Sequence, residues 1–269
     1  ESFATLAAAS EGAYSGLDIN GFTVVEKLED PNTGFSLVIY KNPAAEEYIF
    51  AFRGTELSSQ DIYTDLNVGM KQWSPDIREQ VETRIYAYTA KKSDAIIHFT
   101  GHSLGGALAQ YAAYEYAISA SNAASGGDLQ ATFDLVTFNA LGGVLALSDP
   151  LLYPNGYDPS VAAAISAAHF KINTDVVSRL GDDHIGGELL VIDRPTGSPL
   201  RAHAIANFTG ENGGTAVTTG EYQDAVVEDN YLEITQLLAV SGIVANFGDD
   251  GQFTPEEALL RTIAAFSFG

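Results

Sequence analysis

Hydrophobic and polar positions along the chain follow two spacings, and each spacing marks a type of secondary structure. Short, mostly apolar runs typical of buried strands lie at 21–27, 35–40, 48–52, 95–100, 133–138, 168–173 and 188–193. Ala-rich stretches, or apolar residues three and four positions apart, predict helices at 3–10, 76–92, 104–119 and 160–167. The early strands form hairpins and the later ones alternate with helices. This order predicts an α/β fold with a mixed, mostly parallel central sheet flanked by helices.

The composition of the chain changes little before residue 210, which predicts one domain up to that point. Beyond it, 231–240 and 255–264 are predicted helices, the second with Pro255 at its first position. We therefore expect residues 1–269 to form a single domain, in which residues 210–269 are a mainly helical extension packed on the rest.

Charge and composition exclude several classes of function. Asp and Glu outnumber Lys and Arg by 35 to 13, for a net charge of −22, so the surface repels the phosphate backbone of nucleic acids. Any lipid surface must then be engaged through apolar contacts. The chain has no cysteine, which excludes disulfides and thiol catalysis. No apolar run approaches the roughly 20 residues of a membrane span, so no transmembrane segment is expected.

The cellular location is predicted from weaker signals. A strongly acidic balance fits a salty or extracellular setting. A sequence that starts at Glu1, without an apolar leader, fits a mature or excised product. We therefore expect a secreted protein.

The most informative motif is Gly-His-Ser-Leu-Gly-Gly at 101–106, between a predicted strand and a predicted helix. Strand, G-x-S-x-G and helix is the context of a nucleophile elbow, a turn so sharp that the residues two positions either side of the serine must be small. Gly101 and Gly105 meet that need. The Ser103 hydroxyl is then expected above the sheet at the helix N-terminus. The side chain of His102 is expected to point away from the path of this nucleophile.

A serine nucleophile needs a base, and in α/β hydrolases the chain order is Ser, then Asp or Glu, then His. Three histidines follow Ser103, namely His169, His184 and His203. His169 lies within an apolar strand, where a hydrogen-bonded core histidine is expected, and His98 is interpreted in the same way. The residues alone leave His184 and His203 as candidate bases.

The acid is expected at the C-terminal end of a strand, where α/β sheets place their sites. Asp175 follows such a strand after two residues, and is favoured. Asp182 and Asp183 are alternatives, but they lie in a Gly-flanked loop with no strand immediately before them.

Further motifs extend this pattern over four blocks of the chain, at 51–55 (Ala-Phe-Arg-Gly-Thr), 100–109, 136–142 and 170–180. With these blocks in this order, residues 1–210 resemble the class 3 lipases, the fungal-type triacylglycerol lipases of the α/β-hydrolase superfamily. The resemblance implies that Thr55 supplies one oxyanion donor and that the backbone N–H of Leu104 supplies the other.

The same resemblance bears on the acid and the base. Its Asn-x-Asp-x-Val-x-x-Leu pattern is matched from Asn173 and favours Asp175. The family has a histidine that is not catalytic, in a His-x-Gly-x-Glu segment. The segment from His184 to Glu188 resembles it. The catalytic histidine then corresponds to His203, 28 residues after Asp175, with His184 as the alternative.

The resemblance implies an ester hydrolase, with triacylglycerol lipase as the main interpretation. Phospholipase A and a soluble carboxylesterase or polyester hydrolase are the alternative enzymes. The alternative that is not an enzyme is a noncatalytic binding or structural protein with the same fold. Segment 56–66 corresponds to a lid, with Ile62, Tyr63 and Leu66 on one apolar face, although a fixed surface helix also fits. Residues 151–153 either rim an acyl groove or form a plain loop.

The chain departs from the fungal enzymes in lacking cysteines, in its acidity and in its tail of about 60 residues, which favours a bacterial member of the family. In that tail, residues 246–257 resemble an EF-hand loop, with Asn246, Asp250 and Glu257 as candidate calcium ligands. Gly248 stands at the third position and removes a ligand. An ordinary loop before a capped helix is favoured, and we expect no cofactor to be required.

Overall fold

The computed structural model describes residues 2–54, 71–90, 92, 94–123, 131–150, 153, 156–175, 177–179, 183–194, 196, 199–210 and 215–227. Several predicted features lie outside these residues: Thr55, the segment 56–66, Leu151, Leu152, Asp182, the helices 231–240 and 255–264, and the candidate calcium ligands Asn246, Asp250 and Glu257.

Strands of the described chain form one eight-stranded sheet, in which neighbours in sequence are neighbours in space. The strands are β1 (Thr23–Asp30), β2 (Phe35–Lys41), β3 (Glu47–Phe52), β4 (Ile96–His102), β5 (Thr132–Phe138), β6 (Ala167–Ile172), β7 (Glu188–Ile192) and β8 (Val226–Val227). Strands β1 to β3 are antiparallel, β3 to β7 are parallel, and β8 is antiparallel to β7. The predicted mixed, mostly parallel sheet is confirmed.

Helices cover both faces of this sheet. They are α1 (Phe3–Ser15), α2 (Pro75–Thr89), α3 (Leu104–Ala123), α4 (Val144–Leu147), α5 (Pro159–Ala163), α6 (Pro199–His203), α7 (Ala206–Thr209) and α8 (Thr219–Gln223). The first two long helices begin at serine caps, because Ser2 accepts the N–H of Thr5 and Ser74 accepts that of Ile77. Among the described residues, no helix is long and apolar enough to span a membrane.

Alternating side chains of the central strands belong to two hydrophobic cores, one on each face of the sheet. Phe50 and Phe99 belong to the core beneath α2 and α3, whereas Ile49 and Val136 belong to the core beneath α1 and α7. This division follows from the two-residue period of a strand, which sends successive side chains to opposite faces. Because both faces are covered, the central strands read as continuous apolar runs.

Two elements differ from the prediction. The Ala-rich helix predicted over 160–167 ends at Ala163, because Ala167 already pairs with Leu135 as the first residue of β6. Sheet pairing therefore overrides the helix preference of alanine at this position. The apolar run at 188–193 is the last strand that the sequence predicts, but the structure adds β8, which pairs with β7 at the sheet edge. A strand of two residues is too short to show a period in the sequence.

Candidate active site

Ser103 occupies the sharp turn between β4 and α3, in a left-handed backbone conformation with φ of 59°. The turn leaves no room for side chains on either side. A Cβ atom on Gly105 would lie 2.1 Å from the Phe52 carbonyl oxygen, and one on Gly101 would lie 2.3 Å from the Gly105 oxygen. Glycine is therefore required at both positions. The packing around Ser103 holds this residue in its strained backbone conformation.

Three polar side chains meet at this turn. His203 Nε2 lies 2.9 Å from Ser103 Oγ, and His203 Nδ1 lies 3.0 Å from Asp175 Oδ1. With Nδ1 donating to the carboxylate, Nε2 of the neutral ring accepts the serine hydroxyl. The side chains of Asp175 and His203 are fully buried. The predicted serine, acid and histidine are thus in one hydrogen-bonded chain.

Backbone groups hold the carboxylate of Asp175 in place. Its Oδ1 accepts the N–H of Val177 at 3.2 Å, and its Oδ2 accepts the N–H of Ser178 at 3.1 Å. Burial acts to raise the pKa of Asp175, but the nearby His203 and the hydrogen bonds from Ser178 outweigh it and lower the pKa. Asp175 is therefore ionised, and can stabilise a positive charge on His203.

The alternative base and acid are placed elsewhere. His184 Nε2 donates to the Ala140 carbonyl at 3.1 Å, and its ring packs on that of His169 with centroids 4.7 Å apart. His169 is a buried core histidine, bonded to Ile185 O at 2.9 Å and to Thr137 Oγ1 at 2.9 Å. Asp183 is exposed.

His98 lies in the interior of the sheet and takes no part in this chain of hydrogen bonds. Its two nitrogens face the carboxylates of Asp134 at 2.7 Å and Glu47 at 3.1 Å.

One expected oxyanion donor, the N–H of Leu104, lies at the start of α3, and the other, Thr55, lies outside the described residues, directly after Gly54. Leu104 is the first residue of α3, and backbone N–H groups in the first turn of a helix have no partner within the helix. A Cβ atom on Gly54 would lie 3.2 Å from Ser103 Cβ. The chain that leads to Thr55 therefore passes directly beside the nucleophile.

Asn139 is a site residue that the sequence analysis did not single out. It directly follows β5 in a left-handed conformation with φ of 44°. Its Nδ2 donates to the carbonyls of Ala202 at 2.7 Å and His203 at 3.0 Å, and its Oδ1 accepts the N–H of Ile172 at 2.9 Å. The sequence did offer a signal for Asn139, because it is a polar residue at the C-terminal end of a buried strand and lies inside the block 136–142.

Within the described residues, no group of three or more histidine, aspartate or glutamate side chains is arranged to hold a metal ion.

Comparison with protein families matches residues 9–142 to a phospholipase-like family, the Tle-like phospholipase domain. Among solved structures, a triacylglycerol lipase from Penicillium expansum aligns with a TM-score of 0.52 and 18% identity, over 80% of this chain and 88% of that one. The chain has the α/β-hydrolase fold of the lipases. A Rhizomucor miehei lipase in a propeptide complex gives a TM-score of 0.50 and 15% identity, over 71% of this chain and 68% of that one. Comparison with curated protein sequences gives no match.

The predicted resemblance to class 3 lipases is thus confirmed at the level of the α/β-hydrolase fold. The residues matched to the family include Ser103 and the strand and helix on either side of it, β4 and α3. The match ends before Asp175 and His203. Asp175 and His203 are identified instead by their hydrogen bonds to each other and to Ser103.

Buried neutral histidines make the free energy of unfolding depend on pH. Burial lowers the pKa of His169 to about 4, against about 6.5 for an exposed histidine. Between these values the unfolded chain binds more protons than the native one, so the free energy of unfolding falls as the pH falls. We expect urea midpoints at 0.5 M salt to decrease from pH 7 to pH 5. Replacing His169 by Gln should make that decrease shallower, and equal slopes for the two proteins would contradict this account.

Proposed function

We propose that the protein is a carboxylic ester hydrolase, and in the first place a triacylglycerol lipase. The observation that carries this proposal is the buried chain of hydrogen bonds from Ser103 through His203 to Asp175. The α/β-hydrolase fold supports it, because the serine stands at the elbow where this fold places its nucleophile.

In the first half of the reaction, His203 Nε2 takes the proton of the Ser103 hydroxyl as Oγ attacks the ester carbonyl carbon. The carbonyl electron pair moves to the oxygen and gives a tetrahedral oxyanion. When this intermediate collapses, the alcohol leaves with the proton held on Nε2. The product is an acyl-enzyme on Ser103, and Asp175 has stabilised the imidazolium throughout.

In the second half, water gives a proton to His203 Nε2 and attacks the acyl carbonyl. Collapse of this second intermediate breaks the bond to Ser103 Oγ, which takes the proton back, and the fatty acid leaves. The three side chains handle both the proton and the charge, so we propose that the reaction requires no cofactor.

We assign the oxyanion to two donors, the backbone N–H of Leu104 and Thr55. Leu104 lies at the N-terminus of α3, where the peptide dipoles also favour negative charge. Loss of one such donor typically costs about 3–4 kcal/mol of transition-state stabilisation.

Phospholipase A activity is the second candidate. The match of residues 9–142 to a phospholipase-like family favours it specifically. Both reactions break a carboxylic ester by the same steps, so the triad alone does not choose between the two lipids.

We further propose that the protein acts outside the cell. A net charge of −22 suits an extracellular setting, and a lipid surface would be reached through apolar contacts.

Removal of the nucleophile or the base should abolish ester hydrolysis. We expect Ser103→Ala and His203→Ala to lower kcat/KM for p-nitrophenyl esters at least about 10³-fold. His184→Ala is the control, because that ring binds the Ala140 carbonyl rather than Ser103, and its effect should be mild. Thermal melting of each variant checks that the substituted protein is still folded. If His184→Ala were the inactive variant and His203→Ala the active one, the assignment of the base would be wrong.

The lipid class is decided by comparing substrates under one set of conditions. We expect faster release of fatty acid from emulsified triolein than from phosphatidylcholine vesicles, measured by titration at constant pH. Ser103→Ala gives the background rate for both lipids. Faster hydrolysis of phosphatidylcholine would favour phospholipase A instead. Activity on dissolved short-chain esters alone would favour a soluble carboxylesterase.

A further inference from the structure

His102 directly precedes Ser103, yet its ring faces the candidate base. The ring centroids of His102 and His203 are 4.7 Å apart, with an angle of 38° between their planes. Nε2 of His102 lies 2.6 Å from the backbone carbonyl oxygen of His203, and Nδ1 lies 3.1 Å from the hydroxyl oxygen of Tyr14. The expectation that His102 points away from the Ser103 hydroxyl did not include this contact with the candidate base.

These contacts define the tautomer of His102. A carbonyl oxygen can only accept, so Nε2 must carry a proton. Burial and the neighbouring His203 lower the pKa of His102 to about 3, so the ring is neutral near pH 7. Nδ1 then has a lone pair, and Tyr14 donates its hydroxyl to it. The Tyr14 hydroxyl therefore favours the tautomer in which His102 can donate to His203.

The backbone at His203 needs this support because it lies at the end of α6, a helix of only five residues. Its carbonyl accepts a second hydrogen bond from Asn139 at 3.0 Å. The two donors come from the ends of β4 and β5, which are neighbouring strands of the rigid sheet. His102 therefore ties the base to the strand that carries the nucleophile.

Tyr14 brings α1 into the same arrangement. A Cβ atom on Gly54 would lie 2.7 Å from the Tyr14 hydroxyl and 2.6 Å from the His102 carbonyl oxygen. Tyr14 thus packs against Gly54, two residues after the end of β3 and one residue before the proposed oxyanion donor Thr55. Its hydroxyl group therefore bonds to His102, which binds the His203 carbonyl, and also lies against the residue before the proposed oxyanion donor.

The neutrality of His102 also matters for the reaction. His203 becomes an imidazolium during proton transfer, and a second cation 4.7 Å away would oppose that change. A neutral ring that donates to the His203 carbonyl does not oppose it. Histidine, held as one neutral tautomer, suits this position.

We propose that Tyr14 and His102 are positioning residues, which fix the backbone of the catalytic base through the hydrogen bonds Tyr14 to His102 and His102 to His203. The inference rests on the proposed ester hydrolysis and deepens it. Neither residue touches the substrate in this assignment. Misplacement of a catalytic group by about 1 Å can cost roughly 10²-fold in rate, and this sets the size of the expected effects.

Substitutions at residue 102 separate the hydrogen bond from the bulk of the ring. We expect His102→Leu to lower kcat for a soluble p-nitrophenyl ester about 10²-fold, with KM changed less than about twofold. His102→Gln should recover most of this loss, because its amide nitrogen can donate to the His203 carbonyl. Equal losses in the two variants, or losses that follow the folded fraction in thermal melts, would overturn the proposal.

Substitution of Tyr14 tests the other hydrogen bond. We expect Tyr14→Phe to lower kcat about tenfold. Tyr116→Phe is the control, since it removes a tyrosine hydroxyl that bonds away from the site, to the backbone carbonyl of Ala131 at 3.2 Å. It should leave kcat within about twofold. A similar loss of kcat in both variants would contradict a specific role for Tyr14.

Nitrogen-15 NMR of labelled histidines gives a readout that does not depend on activity. The wild type should show His102 protonated on Nε2, assigned by its absence in His102→Gln, and Tyr14→Phe should shift it toward the Nδ1-protonated form. An Nδ1-protonated ring in the wild type would overturn the proposal. If wild type and Ser103→Ala hydrolysed esters equally slowly, the proposed function would fail, while the tautomer would still be measurable.

Discussion

The left-handed backbone at Ser103 is the constraint on which the active end of the sheet depends. A non-glycine residue in this conformation is strained, and it persists only where its surroundings leave no alternative. Here the close approach of β3 and α3 leaves none, because any side chain at Gly105 would collide with the Phe52 carbonyl. The turn projects the hydroxyl out of the sheet and starts α3 directly behind it.

Neighbouring strand ends repeat this arrangement across the sheet. The N–H of Ser103 bonds to the Phe138 carbonyl, and the N–H of Asn139 bonds to the Phe170 carbonyl. Within the described chain, Ser103 and Asn139 are the non-glycine residues with positive φ. Asn139 then holds the carbonyl of His203. The register of β4, β5 and β6 thus sets the positions of Ser103, Asn139 and Asp175, while the side chains of His102 and Asn139 bind the carbonyl of His203.

Sequence patterns predicted seven of the eight described strands and the long helices, because a buried strand and an Ala-rich helix each have a clear spacing. They did not predict α6, α7 or α8, which have four or five residues and show no period. Among site residues, Ser103 could be predicted from its glycines and Asp175 from its place after a strand. The position of His203 needed a family resemblance, since the sequence spacing of 28 residues from Asp175 has no structural meaning by itself.

The contacts of His102 could not be predicted because they join residues about a hundred positions apart in sequence. Only the folded sheet brings α1, the elbow and α6 together.

Covalent labelling tests the central claim most directly, because it reports the reactivity of one oxygen atom without assuming a substrate. A fluorophosphonate reacts with a serine that a neighbouring base has activated. Intact mass and peptide mapping should show one adduct on Ser103 in the wild type, and its formation should be at least about 10²-fold slower in His203→Ala. Folded wild-type protein that takes no label at Ser103, or labels equally fast without His203, would contradict the account.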